Sequence, residues 1–170
     1  MLLAIGGILI YVGFRFEWQF GVAAVCSLVH DVVSTVGLFS LTGMQFDLTA
    51  LAAVLMLAGY SVNDTVVIFD RIREMLKKYR KTPLGDVLNI SINSTLARTT
   101  RTSVVVLLTL IALWLFGGEA LRVFTNAMIF GIVLGTYSSI FVAAPILLYL
   151  KVRPAAAPEE TVENALESAG

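Results

Sequence analysis

Two acidic residues, Asp31 and Asp64, lie within long apolar stretches of the sequence. An acid at the centre of a bilayer costs roughly 2.5 to 3.5 kcal/mol on translocon-insertion scales, so it marks a functional position. Asp64 stands in the run GYSVNDT at residues 59–65. Its helical face should point into a bundle, because neighbours three and four residues away share that face. Tyr60 and Ser61 share this face with Asp64, and we expect Asn63 and Thr65 to flank it.

A second polar stripe surrounds Asp31. Its members are Ser27, His30, Asp31, Ser34 and Thr35. Spacings of three, four and seven residues keep most of such a stripe on one side of a helix. His30 adds a group that exchanges protons near physiological pH, although a lone histidine is weak support for that role. We expect this stripe to meet the Asp64 face or a partner's helix.

Arg98 and Arg101 begin the apolar stretch that follows a polar loop. For Arg101 we favour simple anchoring of the span at the cytoplasmic side. For Arg98 we favour an inward role, because one span descends to that side and the next rises from it, which places Asp64 and Arg98 at neighbouring depths. Desolvation favours the neutral carboxyl and a guanidinium favours the charged one, so the combination suits reversible proton transfer.

Interhelical packing is the competing explanation for these polar residues. Such polar contacts are worth only about 0.6 kcal/mol each in membranes. The segment from Gly131 to Gly135, followed by Thr136 and neighbouring hydroxyls, fits this packing role. Asp64 fits it poorly, because one such contact does not offset the cost of burying its carboxyl group.

The elements that must position these residues are apolar helices. Hydrophobic residues make up 58% of the chain and charged ones 14%, and the mean hydropathy is +0.87, which indicates lipid as the solvent. We predict an all-α polytopic membrane protein with a transmembrane domain over 1–150. Its five predicted spans are 1–14, 18–41, 48–69, 99–116 and 123–150. The first is too short to cross comfortably, so we expect a missing segment upstream.

The connection 70–98 and the tail 151–170 complete the predicted organisation. Thr82 and Pro83 suit an N-cap and first helical position, which predicts an amphipathic helix lying in the cytoplasmic interface. A helix packed on the cytoplasmic end of the bundle is the alternative. Lys and Arg concentrate on one side of the five-span arrangement, which predicts a cytoplasmic C-terminus. The acidic tail is expected to be flexible.

Composition also excludes several function classes. The formal net charge is zero, which argues against a nucleic-acid partner. Cys26 is the one cysteine, so an intrachain disulfide is excluded and a cysteine metal cluster is disfavoured. One histidine and two distant acids make a poor metal site. No nucleophile and base arrangement appears, so we do not expect an enzyme or a bound cofactor.

The sequence resembles the SecF family, the smaller member of the SecD/SecF pair in the resistance-nodulation-division superfamily. The resemblance rests first on GYSVNDTVVIFDRIRE at 59–74. The other SecF-like blocks are RFEW at 15–18, LVHD at 28–31, SINSTLART at 91–99, FGGE at 116–119 and GTYSSIFVAAP at 135–145.

The resemblance implies spans two to six of a six-span protein, without the first span and the extracytoplasmic domain. It also implies a multi-pass protein of the bacterial cytoplasmic membrane that works with SecD, the SecYEG channel and often YajC. The coupling ion would be the proton, used to help preproteins cross, with Asp64 and Arg98 in proton transfer. Family carry-over to His30 and Asp31 is weaker.

Three alternatives to the SecF interpretation remain. One is a small-molecule exporter of the same superfamily, and another is a SecD half, which the GYSVNDT and DRIRE forms disfavour. The third is a structural membrane scaffold. It predicts that removing the Asp64 carboxyl costs no activity.

Overall fold

The structure, a computed structural model, describes residue 7 and residues 18–79, 82–150 and 152. Within these ranges the regular elements are helices. They are α1 (Trp18–Thr42), α2 (Leu48–Lys78), α3 (Leu84–Phe116), α4 (Glu119–Ser138), a π-helical turn (Ser139–Ala143) and α5 (Ala144–Tyr149). Four stretches are long and apolar enough to cross a membrane, with α4, the π turn and α5 counting as one. The described part is therefore an all-α, multi-pass membrane protein.

Short turns connect the helices where the chain reverses. Gly43 ends α1 at a φ of 69°, and Gly118 precedes α4 at a φ of 74°. Both values lie in the left-handed region that glycine adopts without steric cost. Asp47 caps α2, because its carboxylate accepts a hydrogen bond from the Ala50 backbone N–H at 2.8 Å. These connections make α1, α2, α3 and α4 successive antiparallel neighbours.

The predicted interfacial helix is not a separate element. Residues 84–116 form one continuous helix of 33 residues, and α2 also continues to Lys78. At 1.5 Å per residue, α3 is about 50 Å long, which exceeds a hydrocarbon core of about 30 Å. Together, α2 and α3 thus make a hairpin that extends past the lipid. The alternative of a helix packed on the end of the bundle agrees better with this arrangement.

The start of α3 also differs from the prediction. The N-cap position is Pro83, the helix begins at Leu84, and no side chain caps it, so the predicted Thr82 cap is wrong. Packing explains why the helix forms there nonetheless. Val87 and Leu88 are buried in the same apolar cluster as Ile72, and this contact stabilises the extended hairpin.

The last span contains a local irregularity at Ser139–Ala143, where the α-helix widens into a π-helical turn. Pro145 follows within the first turn of α5. Proline has no N–H and its ring clashes with the carbonyl four residues earlier, which here belongs to Phe141. The wider turn accommodates this clash and lets the apolar helix continue to Tyr149.

Helix α2 lies at the centre of the bundle, in contact with α1, α3 and α4. Two apolar clusters fill the interior, one around Phe69 and Ile72 and the other around Leu57 and Met128. The predicted spans 18–41, 48–69, 99–116 and 123–150 all fall within helices. The predicted span 1–14 lies outside the described residues except for Gly7, and the tail 151–170 lies outside them except for Val152.

Candidate functional site

The polar interior begins at Asp31 on α1, whose side chain is fully buried. Its Oδ2 accepts a hydrogen bond from the Ser61 hydroxyl on α2. Gly135 on α4 closes the third side, because a Cβ at that position would lie 3.6 Å from Asp31 Oδ2 and 3.7 Å from Ser61 Oγ. Three helices therefore meet around one carboxyl and hydroxyl pair.

His30 contacts the other oxygen of the same carboxyl. His30 Nδ1 lies 3.0 Å from Asp31 Oδ1, and 38% of the His30 side chain is exposed on the surface of the chain. The predicted polar stripe on α1 thus packs against α2, the helix that carries Asp64, as expected. The contact is made to Ser61 and not to Asp64 itself.

Hydroxyl groups extend the polar contacts along α1. Ser27 Oγ and Ser138 Oγ lie 3.1 Å apart and join α1 to the end of α4. Thr35 donates to the Asp31 backbone carbonyl at 2.8 Å and is also fully buried. Ser34, which the sequence pattern grouped with them, is only half-buried.

A second hydroxyl network joins α2, α3 and α4. Tyr60 OH lies 3.3 Å from Ser103 Oγ, and Ser103 Oγ lies 2.8 Å from Thr136 Oγ1. Sequence reasoning missed Ser103. The available signal was its place four residues after Thr99 within a predicted span, since polar side chains in a membrane form hydrogen bonds between helices.

Asp64 lies one helical turn beyond Tyr60, and its side chain is 3% exposed. The Tyr60 to Ser103 contact sets the α2 to α3 register. Because the two helices are antiparallel, four residues forward on α2 correspond to four residues back on α3, which places Asp64 level with Thr99. Its Oδ2 is buried without a hydrogen-bond partner within the described part of the chain. An unpaired carboxyl oxygen there is a departure from the usual pairing of buried polar atoms.

Arg98 is the basic residue next to Thr99, which places it at the depth of Asp64. The two side chains do not form an ion pair within 4 Å in the described structure, and Arg98 is exposed. Asp64 and Arg98 therefore lie at neighbouring depths in the bundle, as predicted, but their side chains do not form a direct ion pair. Arg101 is also exposed, on the outer surface of α3 beside Thr100 and Val104.

The remaining predicted neighbours of Asp64 divide between the two sides of α2. Thr65 is 2% exposed and belongs to the interior. Asn63 is exposed, so the expectation that it flanks an inward face is wrong. Adjacent helical residues are about 100° apart, and α2 can bury Asp64 and Thr65 together only by turning Asn63 outward.

The arrangement offers chemistry for a proton. The described residues contain no group of three or more His, Cys, Asp or Glu side chains that could hold a metal ion. They do contain two buried carboxyl groups, at depths about one helical turn apart. Asp31 accepts a hydrogen bond, whereas one oxygen of Asp64 has no hydrogen-bond partner among the described residues. A buried carboxyl near a cationic side chain can gain and lose a proton.

Comparison with known proteins gives a consistent set of relatives. The family described as protein export membrane protein SecD/SecF, C-terminal, matches residues 1–153. A protein translocase subunit SecF from Cereibacter sphaeroides is 52% identical over 149 residues, which cover 88% of this chain and 46% of that protein. One from Rickettsia bellii is 54% identical over 147 residues, covering 86% and 48% respectively. The chain thus spans about half the length of these relatives.

Solved structures show the same helical arrangement. A crystal structure of SecDF, described as a translocon-associated membrane protein from Thermus thermophilus, matches 86% of this chain with a TM-score of 0.83 and 46% identity. A crystal structure of SecDF in a super-membrane-facing form matches 96% of this chain with a TM-score of 0.82 and 43% identity. This chain covers 20% and 21% of those longer chains.

Proposed function

The chain belongs to the SecD/SecF C-terminal family of protein export membrane proteins, and from that premise we propose that it is a SecF-type subunit driven by the proton gradient. In this role it promotes preprotein translocation across the bacterial cytoplasmic membrane. The single observation that carries the proton role is Asp64, a buried carboxyl with an open oxygen and a cationic side chain within electrostatic reach. The protein acts as a transport subunit and not as an enzyme.

Asp64 and Arg98 are the proposed working pair. When Asp64 is ionised, the Arg98 guanidinium on α3 is drawn towards it, since opposite charges attract strongly in a low dielectric. When Asp64 is protonated, that attraction disappears and Arg98 returns to the surface. Each cycle therefore changes the attraction between α2 and α3. This change biases the tilt of the two helices relative to a neighbouring subunit.

The free energy available from the proton gradient is large enough to bias the tilt of these helices. One proton moving through 100 mV gains about 2.3 kcal/mol, and each pH unit adds about 1.36 kcal/mol. Reversing a population of 1:99 needs about 5.5 kcal/mol. One proton at modest potential thus shifts a two-state element substantially without reversing it completely.

The proposed partners are SecD, the SecYEG channel and YajC, with a preprotein as the transported substrate. The similar solved structures are of SecDF, which supports SecD as the neighbour. The basic residues at the α2 end of the hairpin support a cytoplasmic location for that end and for the C-terminus.

Gradient-dependent export into inverted membrane vesicles tests the proton role. Asp64→Asn keeps the shape of the side chain and removes its titration, so export should fall to the level seen without a gradient. Asp47→Asn is the matched control, because it makes the same chemical change at an exposed cap of the same helix and asparagine also caps. Export at the wild-type level in Asp64→Asn vesicles would refute the proton role.

A further inference from the structure

A second buried acid, Asp31, has no part in the function proposed above. Its side chain is fully buried between α1, α2 and α4, and it accepts a hydrogen bond from Ser61. An ionised carboxylate in such a place is costly unless a cation accompanies it. None of the described Lys or Arg side chains forms an ion pair with Asp31, and the ionisable group that touches it is His30.

His30 is placed to connect this carboxyl with the surface of the chain. Its Nδ1 lies 3.0 Å from Asp31 Oδ1, while 38% of its side chain is exposed. The described structure contains no hydrogen bond from Nε2, so that nitrogen is left for an exchanging proton. An imidazole can accept a proton at one nitrogen and release another from the opposite nitrogen.

We propose that His30 and Asp31 form a second proton-binding site, and that this site works with Asp64 in the proton role proposed above. A proton arrives at His30 Nε2, and the proton on Nδ1 passes to Asp31 Oδ1. The products are the neutral Nε2–H imidazole and the neutral acid, so charge and protons balance. Release reverses the two transfers.

The surroundings of the pair support coupling to Asp64. On α2, Ser61 contacts Asp31, Asp64 follows three residues later, and Tyr60 is directed to Ser103 on α3. Of the described α4 residues, Gly135 and Ser138 line this region, and Tyr137 is exposed. Arg98 on α3 acts on Asp64. Protonating Asp31 weakens its hold on the Ser61 hydroxyl, which lies about 4.5 Å along the helix axis from Asp64.

Infrared difference spectra between acid and alkaline pH test the proposal in the purified complex. Among the carboxyl signals of the complex, Asp31 and Asp64 should each contribute one that is absent from the matching asparagine variant. Asp31→Asn should remove one, Asp64→Asn should remove the other, and His30→Asn should abolish or displace the Asp31 signal. Ser27→Ala is the control, because it breaks a buried hydrogen bond on the same face of α1 without changing a titrating group.

Nitrogen NMR gives a readout that needs no Asp31 variant. His30 is the single histidine of this sequence, and its imidazole signal is identified as the one that His30→Asn removes after histidine labelling. Its Nδ1 should stay hydrogen-bonded while the ring changes protonation with pH. A His30 imidazole whose Nδ1 carries no hydrogen bond at any pH would overturn the proposal.

The two proposals fail in different ways. If no infrared signal depends on Asp64 while one does depend on Asp31, the proton role of Asp64 is contradicted and the second site is supported. An unchanged spectrum in Asp31→Asn would overturn the second site and leave the Asp64 role intact. Should Asp31→Asn fail to assemble, the His30→Asn spectrum and the NMR titration of wild type decide the matter.

Discussion

Ser61 on α2 donates a hydrogen bond to the carboxyl of Asp31 on α1, and this contact joins the two helices in the middle of the bundle. Asp64 lies one turn further along α2 with an oxygen that has no such donor in the described structure. The two buried acids therefore differ in what their removal should do. Asp31 contributes to helix packing through its hydrogen bond. Burying Asp64 costs free energy that other packing contacts must offset.

Replacing each acid by leucine separates these roles. Asp64→Leu should leave the thermal unfolding of the purified complex unchanged or stabilise it by up to about 3 kcal/mol, since the insertion cost of the acid is removed. Asp31→Leu should destabilise it by about 1 to 3 kcal/mol, because the Ser61 hydroxyl is left unpaired. Gradient-dependent export should be lost in Asp64→Leu. Full export in that variant would favour the scaffold interpretation.

The charge of Arg98 should matter more than that of Arg101. Both residues are exposed on α3, but the Arg98 charge acts on Asp64. Arg98→Gln should lose gradient-dependent export, and Arg98→Lys should retain part of it because the charge remains. Arg101→Gln, the matched control, should export like wild type. Equal losses in the two glutamine variants would show that general anchoring by positive charge explains both residues.

Gly131 should tolerate no larger residue. A Cβ there would lie 2.5 Å from both terminal methyl groups of Leu57, a residue of the α2 core. Gly131→Ala should destabilise the α2 to α4 contact by about 1 to 3 kcal/mol, measured by thermal unfolding in detergent. Gly37→Ala has open space around it and should be neutral or stabilising by up to about 1 kcal/mol.

A double variant checks that the effect arises from this contact. Leu57→Ala should destabilise when introduced alone, but it should partly restore the Gly131→Ala protein. Strict additivity of the two losses would contradict the close approach of α4 to α2.

The hydroxyl network through Ser103 should contribute modestly to stability. Ser103→Ala removes contacts to both Tyr60 and Thr136, so it should cost more than Tyr60→Phe, which removes one. Each contact should be worth roughly 0.6 kcal/mol. Thr109→Ala is the control, because Thr109 bonds only within its own helix. The double variant Tyr60→Phe with Ser103→Ala should cost no more than Ser103→Ala alone.

Much of the candidate site is predictable from the sequence. An acid in an apolar stretch is recognisable without coordinates, because lipid makes the free energy of burying it high. Helical spacing also places Tyr60, Ser61 and Asp64 on related sides of α2 and predicts the stripe around Asp31. What spacing does not give is the angular position of each face, and so the exposure of Asn63 was not foreseen.

Hydropathy and charge act locally along the chain, so the residues alone are enough to predict that apolar helices carry two acids into the membrane. Only the tertiary structure decided which groups meet: Ser61 with Asp31, Tyr60 with Ser103, and Gly131 with Leu57. It also decided that α3 is continuous from Leu84 to Phe116, because packing of Val87 and Leu88 against α2 extends the helix past the lipid. Contacts between distant segments depend on the register and rotation of whole helices, and no local pattern specifies these.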